Sequence, residues 1–290
     1  MSELRPRTNT RASLRRRGVY LLPNAFTTAA LFAGFYAIVQ AMNEEYVRGC
    51  MAIFIAMVLD SLDGRVARLT HTQSDFGAEY DSLSDMVSFG AAPALIMYEF
   101  SLRTLGQWGW FAAFVYCAGA ALRLARFNTN IEVVDKRYFQ GMPSPAAAAM
   151  MVGFIWLAVE NRLPLEHLNA MVSPWLPGDV TLIAVLGWII SVYAGATMVA
   201  NVPFYSFKDV GRYKRVPVAV LFLLGIAMFV VQAYPPLVLF SIFVVYGISG
   251  YAMWLWNMKS GKHASDVLKK PAPAEDPPAP HGAGDWGIAP

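Results

Sequence analysis

Two apolar runs, 47 to 64 and 83 to 101, enclose a polar stretch from Asp60 to Asp85 that reads DSLDGRVARLTHTQSDFGAEYDSLSD. It holds carboxylates at Asp60, Asp63, Asp81 and Asp85, guanidinium groups at Arg65 and Arg68, and glycines at Gly64 and Gly77. Charge beside a lipid phase is costly, so carboxylates placed there neutralise, pair or hold a cation. Four at close quarters are best reconciled by divalent cations between them.

The spacing sharpens this reading. Asp60 and Asp63 stand at i and i+3, Asp81 and Asp85 at i and i+4, so each pair projects from one face if both segments are helical. Two facing helices then bring all four together. An all-oxygen set, with His71 as the one nearby nitrogen, suits Mg²⁺ or Mn²⁺ better than zinc, and such hard cations usually act on phosphates. Gly64 removes a side chain where a bulky ligand can approach the helix. Arg68, four residues on, is placed to hold a phosphate by two parallel bonds. The constellation reads as a two-metal phosphoryl-transfer site.

Composition places that site in a membrane. Of 290 residues 56% are hydrophobic and 15% charged, and eight apolar segments follow one another near 19–42, 47–64, 83–101, 107–126, 144–160, 180–200, 216–233 and 236–256. The expected fold is an all-α integral membrane protein of about eight transmembrane helices with both termini cytoplasmic. The fifth segment, with Ala146 to Ala149 and Gly153, suits close helix packing more than lipid exposure. With the N-terminus inside, only Arg48, Arg103 and Arg162 fall on the outer side, which leaves 20 of 23 lysines and arginines inside. The acidic stretch is thereby expected at the cytoplasmic face.

Three regions follow: a basic N-terminal segment at 1–18, a membrane domain at 19–257 and a disordered cytoplasmic tail at 258–290 rich in Pro, Ala and Gly. The first has no apolar core or cleavage site of a signal peptide, and its Arg15, Arg16 and Arg17 suit anionic headgroups, with residues 11–17 a candidate interfacial helix. Its arginines lack interleaved aromatics and the net charge is only +3, so nucleic acid is not an expected partner. Cys50 and Cys117 form no metal or disulfide pattern.

The motif Asp60-x-x-Asp63-Gly64-x-x-Ala67-Arg68, eight residues, Gly77-x-x-x-Asp81-x-x-x-Asp85 resembles the full signature of the CDP-alcohol phosphatidyltransferase family. Outside it, 84–94, 121–128, 141–145 and 201–208 resemble the bacterial membrane-type phosphatidylserine synthases of that family. The resemblance implies that a serine hydroxyl attacks the lipid-bearing phosphorus of CDP-diacylglycerol and expels CMP at the inner membrane of a bacterium, in a homodimer surrounded by membrane lipid. It implies metal ligation by Asp60, Asp63 and Asp81. Asp85 would be either a further ligand or the base that takes the hydroxyl proton. Gly64, Arg68 and Gly77 would line the CDP-diacylglycerol pocket.

Other residues are read from position. Asn24 and Thr27, after Pro23, serve either as helix caps or as nucleotide contacts. L-serine needs a cation for its carboxylate, and Arg123, Arg126, Asn128 and Lys208 stand at cytoplasmic helix ends where they either supply polar contacts or anchor the membrane face. For its ammonium the residues in view are Glu79 and Asp135. Glycerol phosphate, inositol or choline are the rival acceptors, and a cation or proton transporter is the rival outside the family.

Overall fold

In a computed structural model the structure describes residues 10–129, 138–160, 171–172, 180–206, 225 and 229–259. Helix α1 (Thr10–Met42) runs unbroken through the first apolar segment, so 10–18 continue into it without a bend of their own. Pro23 lies inside α1, and the Thr27 hydroxyl donates to the Pro23 carbonyl at 3.2 Å. Asn43, Glu44 and Glu45 turn the chain into α2 (Tyr46–Thr70), and the two helices pack along much of their length.

The apolar half of α2 buries Gly49, Cys50, Ala52, Ile53 and Ala56, while its last turns carry the acids. His71, at φ 53°, closes it in the left-handed conformation common after a helix C-terminus. Helix α3 (Asp75–Asp85) starts at Ser74, whose hydroxyl accepts the Gly77 N–H at 3.1 Å. The expected connection at 65–82 is thus mostly helical, with a turn over 71–74 alone. A polar sequence hides this, because the helix pays no penalty for leaving the lipid and its caps are local.

Directly after Asp85 the helix widens into one π-helical stretch, Met86–Ala91, and resumes as α4 (Ala92–Phe100). Pro93 explains the change. It has no N–H for the Phe89 carbonyl four residues back, and the buried Tyr116 hydroxyl donates to that oxygen instead, at 2.8 Å.

A 3₁₀ turn (Leu102–Leu105) leads to α5 (Gln107–Thr129), followed by α6 (Ser144–Val159), α7 (Leu182–Val199) and α8 (Pro235–Lys259). Helix α6 is the centre, with 13 of its 16 residues buried, including Ala146 to Ala149 and Gly153. Small side chains let its neighbours close on it. Helices α5 and α7 cross where Gly119 meets the Gly195 backbone, leaving no room for a Cβ.

Among the described residues four helical stretches are long and apolar enough to cross a bilayer: Pro23–Met42, Gln107–Thr129, Leu182–Val199 and Pro235–Lys259. Phe32, Phe114, Ile189 and Ile242 point outward from them, as lipid-facing side chains do. The other expected spans look different. Helix α2 carries its charges within the last turns, α6 is shorter, 83–101 contains the π-helical stretch, and most of 216–233 lies outside the described residues. The all-α expectation also needs one correction, because β1 (Tyr138–Gln140) pairs antiparallel with β2 (Pro203–Tyr205), Phe139 opposite Phe204. The two connections satisfy backbone groups on each other there.

Candidate active site

The acids come from two helices separated by the turn at His71. On α2, Asp60 and Asp63 lie one turn apart; on α3, Asp81 and Asp85 do the same. Carboxylate oxygens of Asp60, Asp63 and Asp81 all fall within 4.8 Å of one another. Asp85 stands beside Asp60, close enough for the two carboxyl groups to interact.

Helix α1 braces this pair. The Thr27 hydroxyl is 2.8 Å from Oδ2 of Asp63, whose side chain is buried, and Thr27's own carbonyl accepts from Ser84 at 3.2 Å. One turn on, the Ser88 hydroxyl donates to the Ala30 carbonyl at 3.1 Å. Thr28 and Tyr80 share a further hydroxyl contact of 2.9 Å. Serines and threonines at helical spacing therefore fix the distance from α1 to α3 on the side where the acids face α2.

The electrostatics ask for a cation. Burial, with the Asp63 and Asp60 carboxylates beside it, pushes the Asp81 carboxyl up to about 7. Oδ1 of Asp81 is buried and has no hydrogen-bond partner among the described residues. A divalent ion held by these oxygens would satisfy that atom and offset the repulsion, and the donor set, all carboxylate, fits a hard cation. His71 is exposed and serves the turn, outside the acid group.

Next to the acids lies a cavity of about 390 Å³ whose lining includes Asn24, Thr27, Asp63, Gly64, Gly77 and Asp81. Six residues singled out from sequence thus meet in one space. A Cβ on Gly64 would touch nothing within 4 Å, so this glycine is not required for helix packing. Gly77 differs, because a Cβ there would meet Ser74 Oγ at 3.1 Å and Asn24 Oδ1 at 3.6 Å. Arg68 is exposed and its Nε donates to the Gly64 carbonyl at 2.8 Å, on its own helix. It is absent from the cavity lining.

The basic residues proposed for the acceptor separate into different tasks. Arg123 donates to Ser144 Oγ at 2.6 Å and lies in the electrostatic field of Asp85 and Asp60. Arg126 donates to the Val199 carbonyl at 2.8 Å and to Asn201 Oδ1 at 3.2 Å, holding the end of α7. Asn128 Nδ2 donates to Ser82 Oγ at 3.0 Å, which ties α5 to α3 beside Asp81. Glu79 is exposed, whereas Lys208 and Asp135 lie outside the described residues.

Segments far apart in sequence converge here. Gly141, at φ 78°, donates its N–H to Val202 at 2.9 Å, Met142 donates to Thr197 at 3.1 Å, and Gln140 Nε2 reaches Asn201 Oδ1 at 2.8 Å. Sequence alone does not mark Ser84, Ser144 or Tyr116 as contributors. Ser84 and Ser144 stood within stretches already compared with the family, but a hydroxyl has no charge or period to mark it. Tyr116 carries no signal within an apolar helix.

Comparison with known proteins agrees with this geometry. The CDP-alcohol phosphatidyltransferase family matches residues 20–204. A CDP-diacylglycerol–serine O-phosphatidyltransferase of Helicobacter pylori (strain J99) is 36% identical over 241 residues, covering 83% of this chain and 93% of that protein. A protein of the same name from Mycobacterium tuberculosis (strain H37Rv) is 32% identical over 243 residues, 80% of this chain and 78% of the relative.

Proposed function

The chain belongs to the CDP-alcohol phosphatidyltransferase family, and from that premise we propose that it is a phosphatidylserine synthase, transferring the phosphatidyl group of CDP-diacylglycerol to L-serine with release of CMP. The observation that carries the site reading is the convergence of Asp60, Asp63 and Asp81 within 4.8 Å beside a cavity lined by Gly64, Gly77 and Asn24. The names of the relatives supply the acceptor.

In this reading Asp60, Asp63 and Asp81 hold divalent cations, two of Mg²⁺ or Mn²⁺, with Asp85 at their edge. Ions held by these three carboxylates would supply the charge neutralisation that a pyrophosphate and its leaving oxygen require. Gly64 leaves room for the nucleotide, while Asn24 and Thr27 offer it polar contacts. Arg68 swings from its helix carbonyl to the phosphates. The serine hydroxyl gives its proton to the Asp85 carboxylate as its oxygen bonds to the lipid-bearing phosphorus. The bond from that phosphorus to the bridging oxygen breaks, and CMP leaves with the oxygen. Arg123 is the cation for the serine carboxylate, since it lies in the field of Asp85 yet comes from a different helix. Arg126 and Asn128 hold the walls.

The distribution of basic residues supports eight spans with both termini and the active site on the cytoplasmic side of a bacterial inner membrane, 1–18 and 258–290 being appendages of the membrane domain. Cysteine labelling of the 43–45 and 71–74 turns from either side of sealed vesicles tests that orientation. The family resemblance supports a homodimer, which the mass of the protein in detergent micelles tests.

The activity itself is tested by CMP release from CDP-diacylglycerol by purified protein, with and without serine and Mg²⁺ or Mn²⁺. Serine- and metal-dependent release is expected, and Asp85→Asn should lower its rate by roughly 10²–10⁴-fold, the usual reach of a general base. Release that follows another alcohol sinks the serine assignment. Ion movement into vesicles free of CDP-diacylglycerol, with no CMP release, favours transport.

A further inference from the structure

The acceptor end of the site is completed by a helix beyond the matched region 20–204. Tyr246, on α8, donates its hydroxyl to the Tyr205 carbonyl at 3.2 Å, and its ring packs on Phe204 with centroids 5.4 Å apart. The Phe204 ring also fills the space a Cβ on Gly250 would need, so α8 and β2 are in direct contact over one turn. From β2 the connection to Arg123 is short. Val202 accepts from Gly141, and two residues on from Met142 stands Ser144, whose hydroxyl takes the Arg123 Nη1 hydrogen at 2.6 Å.

We propose that Tyr246 is a positioning residue for acceptor specificity: through the Tyr205 carbonyl, the Val202–Gly141 bond and Ser144 it holds the Arg123 guanidinium where the carboxylate of an amino-acid acceptor binds, while the hydroxyl of that acceptor lies at Asp85. The inference rests on serine being the acceptor. A guanidinium with long-chain freedom loses that freedom when it is held before the ligand arrives, and affinity rises by the entropy already spent. An acceptor without a carboxylate gains nothing from such an arrangement, so the device selects as well as binds.

Tyr246→Phe keeps the ring against Phe204 and removes only the hydroxyl. It is expected to raise the KM for serine about tenfold, the effect of one lost hydrogen bond, with kcat and the KM for CDP-diacylglycerol within about twofold of wild type. Ser249→Ala serves as the control on the same helix, because its exposed hydroxyl bonds within that helix, to the Tyr246 carbonyl at 2.6 Å; it should leave the serine KM unchanged. In an Arg123→Lys background the Tyr246 change should add less than about twofold, as expected when one residue acts through the other. An unchanged serine KM, an equal rise for both substrates, or the same rise from Ser249→Ala overturns the proposal. Wild-type protein without serine-dependent CMP release overturns the acceptor reading itself, a result separate from active wild type with an indifferent Tyr246 variant.

Discussion

Gly64 shows what a single residue contributes to this site. It follows Asp63 on the last turns of α2, it lines the cavity, and the direction of its missing side chain is open for 4 Å. Most glycines of this bundle are the reverse: a Cβ on Gly119 or Gly195 would collide with backbone of the facing helix. Gly64→Leu is therefore expected to leave thermal unfolding within about 0.5–1 kcal/mol of wild type, as a helical glycine replaced on an open surface does, while raising the KM for CDP-diacylglycerol more than tenfold. Calorimetry together with steady-state kinetics checks both halves. Loss of folding would mean that the glycine serves packing. The same position was legible in sequence because a glycine beside a carboxylate is distinctive, whereas Arg68, equally prominent there, folds back on the Gly64 carbonyl.

At the scale of elements, the join between α3 and α4 places Asp85. Asp85 ends the regular helix, the π-helical stretch follows at once, and Pro93 is the reason that the backbone pattern changes. Tyr116 on α5 then satisfies the Phe89 carbonyl that Pro93 leaves. Tyr116→Phe should destabilise the protein by about 1–3 kcal/mol, the cost of a buried carbonyl without a donor. A urea or thermal melt in detergent measures it. Because α3 and α4 then lose the register that aims Asp85, CMP release should fall as well, and an active variant of wild-type stability would show that the π-helical stretch holds itself. Pro93 was visible in sequence; its partner was not, since 23 residues separate them and nothing in an apolar helix marks which carbonyl its tyrosine will meet.

For the whole molecule, the clustered acids are a stability liability that a bound cation would offset. The Asp81 carboxyl, raised from its ordinary value near 3.8 to about 7, binds its proton more tightly in the folded than in the unfolded chain. Between those values the folded state holds the extra proton, so the metal-free protein should lose stability as pH rises from about 4 to 7 and level off above. A divalent ion that binds the deprotonated carboxylates should, at a hundredfold excess over its Kd, return about 2.7 kcal/mol. The expected observation is an unfolding temperature that falls with pH in chelator and is restored by Mg²⁺ or Mn²⁺ most strongly above pH 7. A metal-free protein equally stable at pH 5 and pH 8 would remove the carboxylate repulsion from the account.

Membrane character and the acidic pairs could be read without a structure, because both are local: apolar length sets a span, and spacings of three and four set a helix face. Asn24 and Thr27 were also visible, as polar groups inside an apolar run. What the tertiary structure decided is which distant groups meet. Thr27 reaches Asp63 over 36 positions, Arg126 reaches Asn201 over 75, and the 138–140 and 203–205 segments pair into a ribbon. Such contacts leave no periodic trace, since each needs one hydroxyl, amide or backbone group at one point of a helix. Helix faces follow from neighbouring residues, but the assembly of a pocket follows from how whole helices pack, and only the folded chain fixes that.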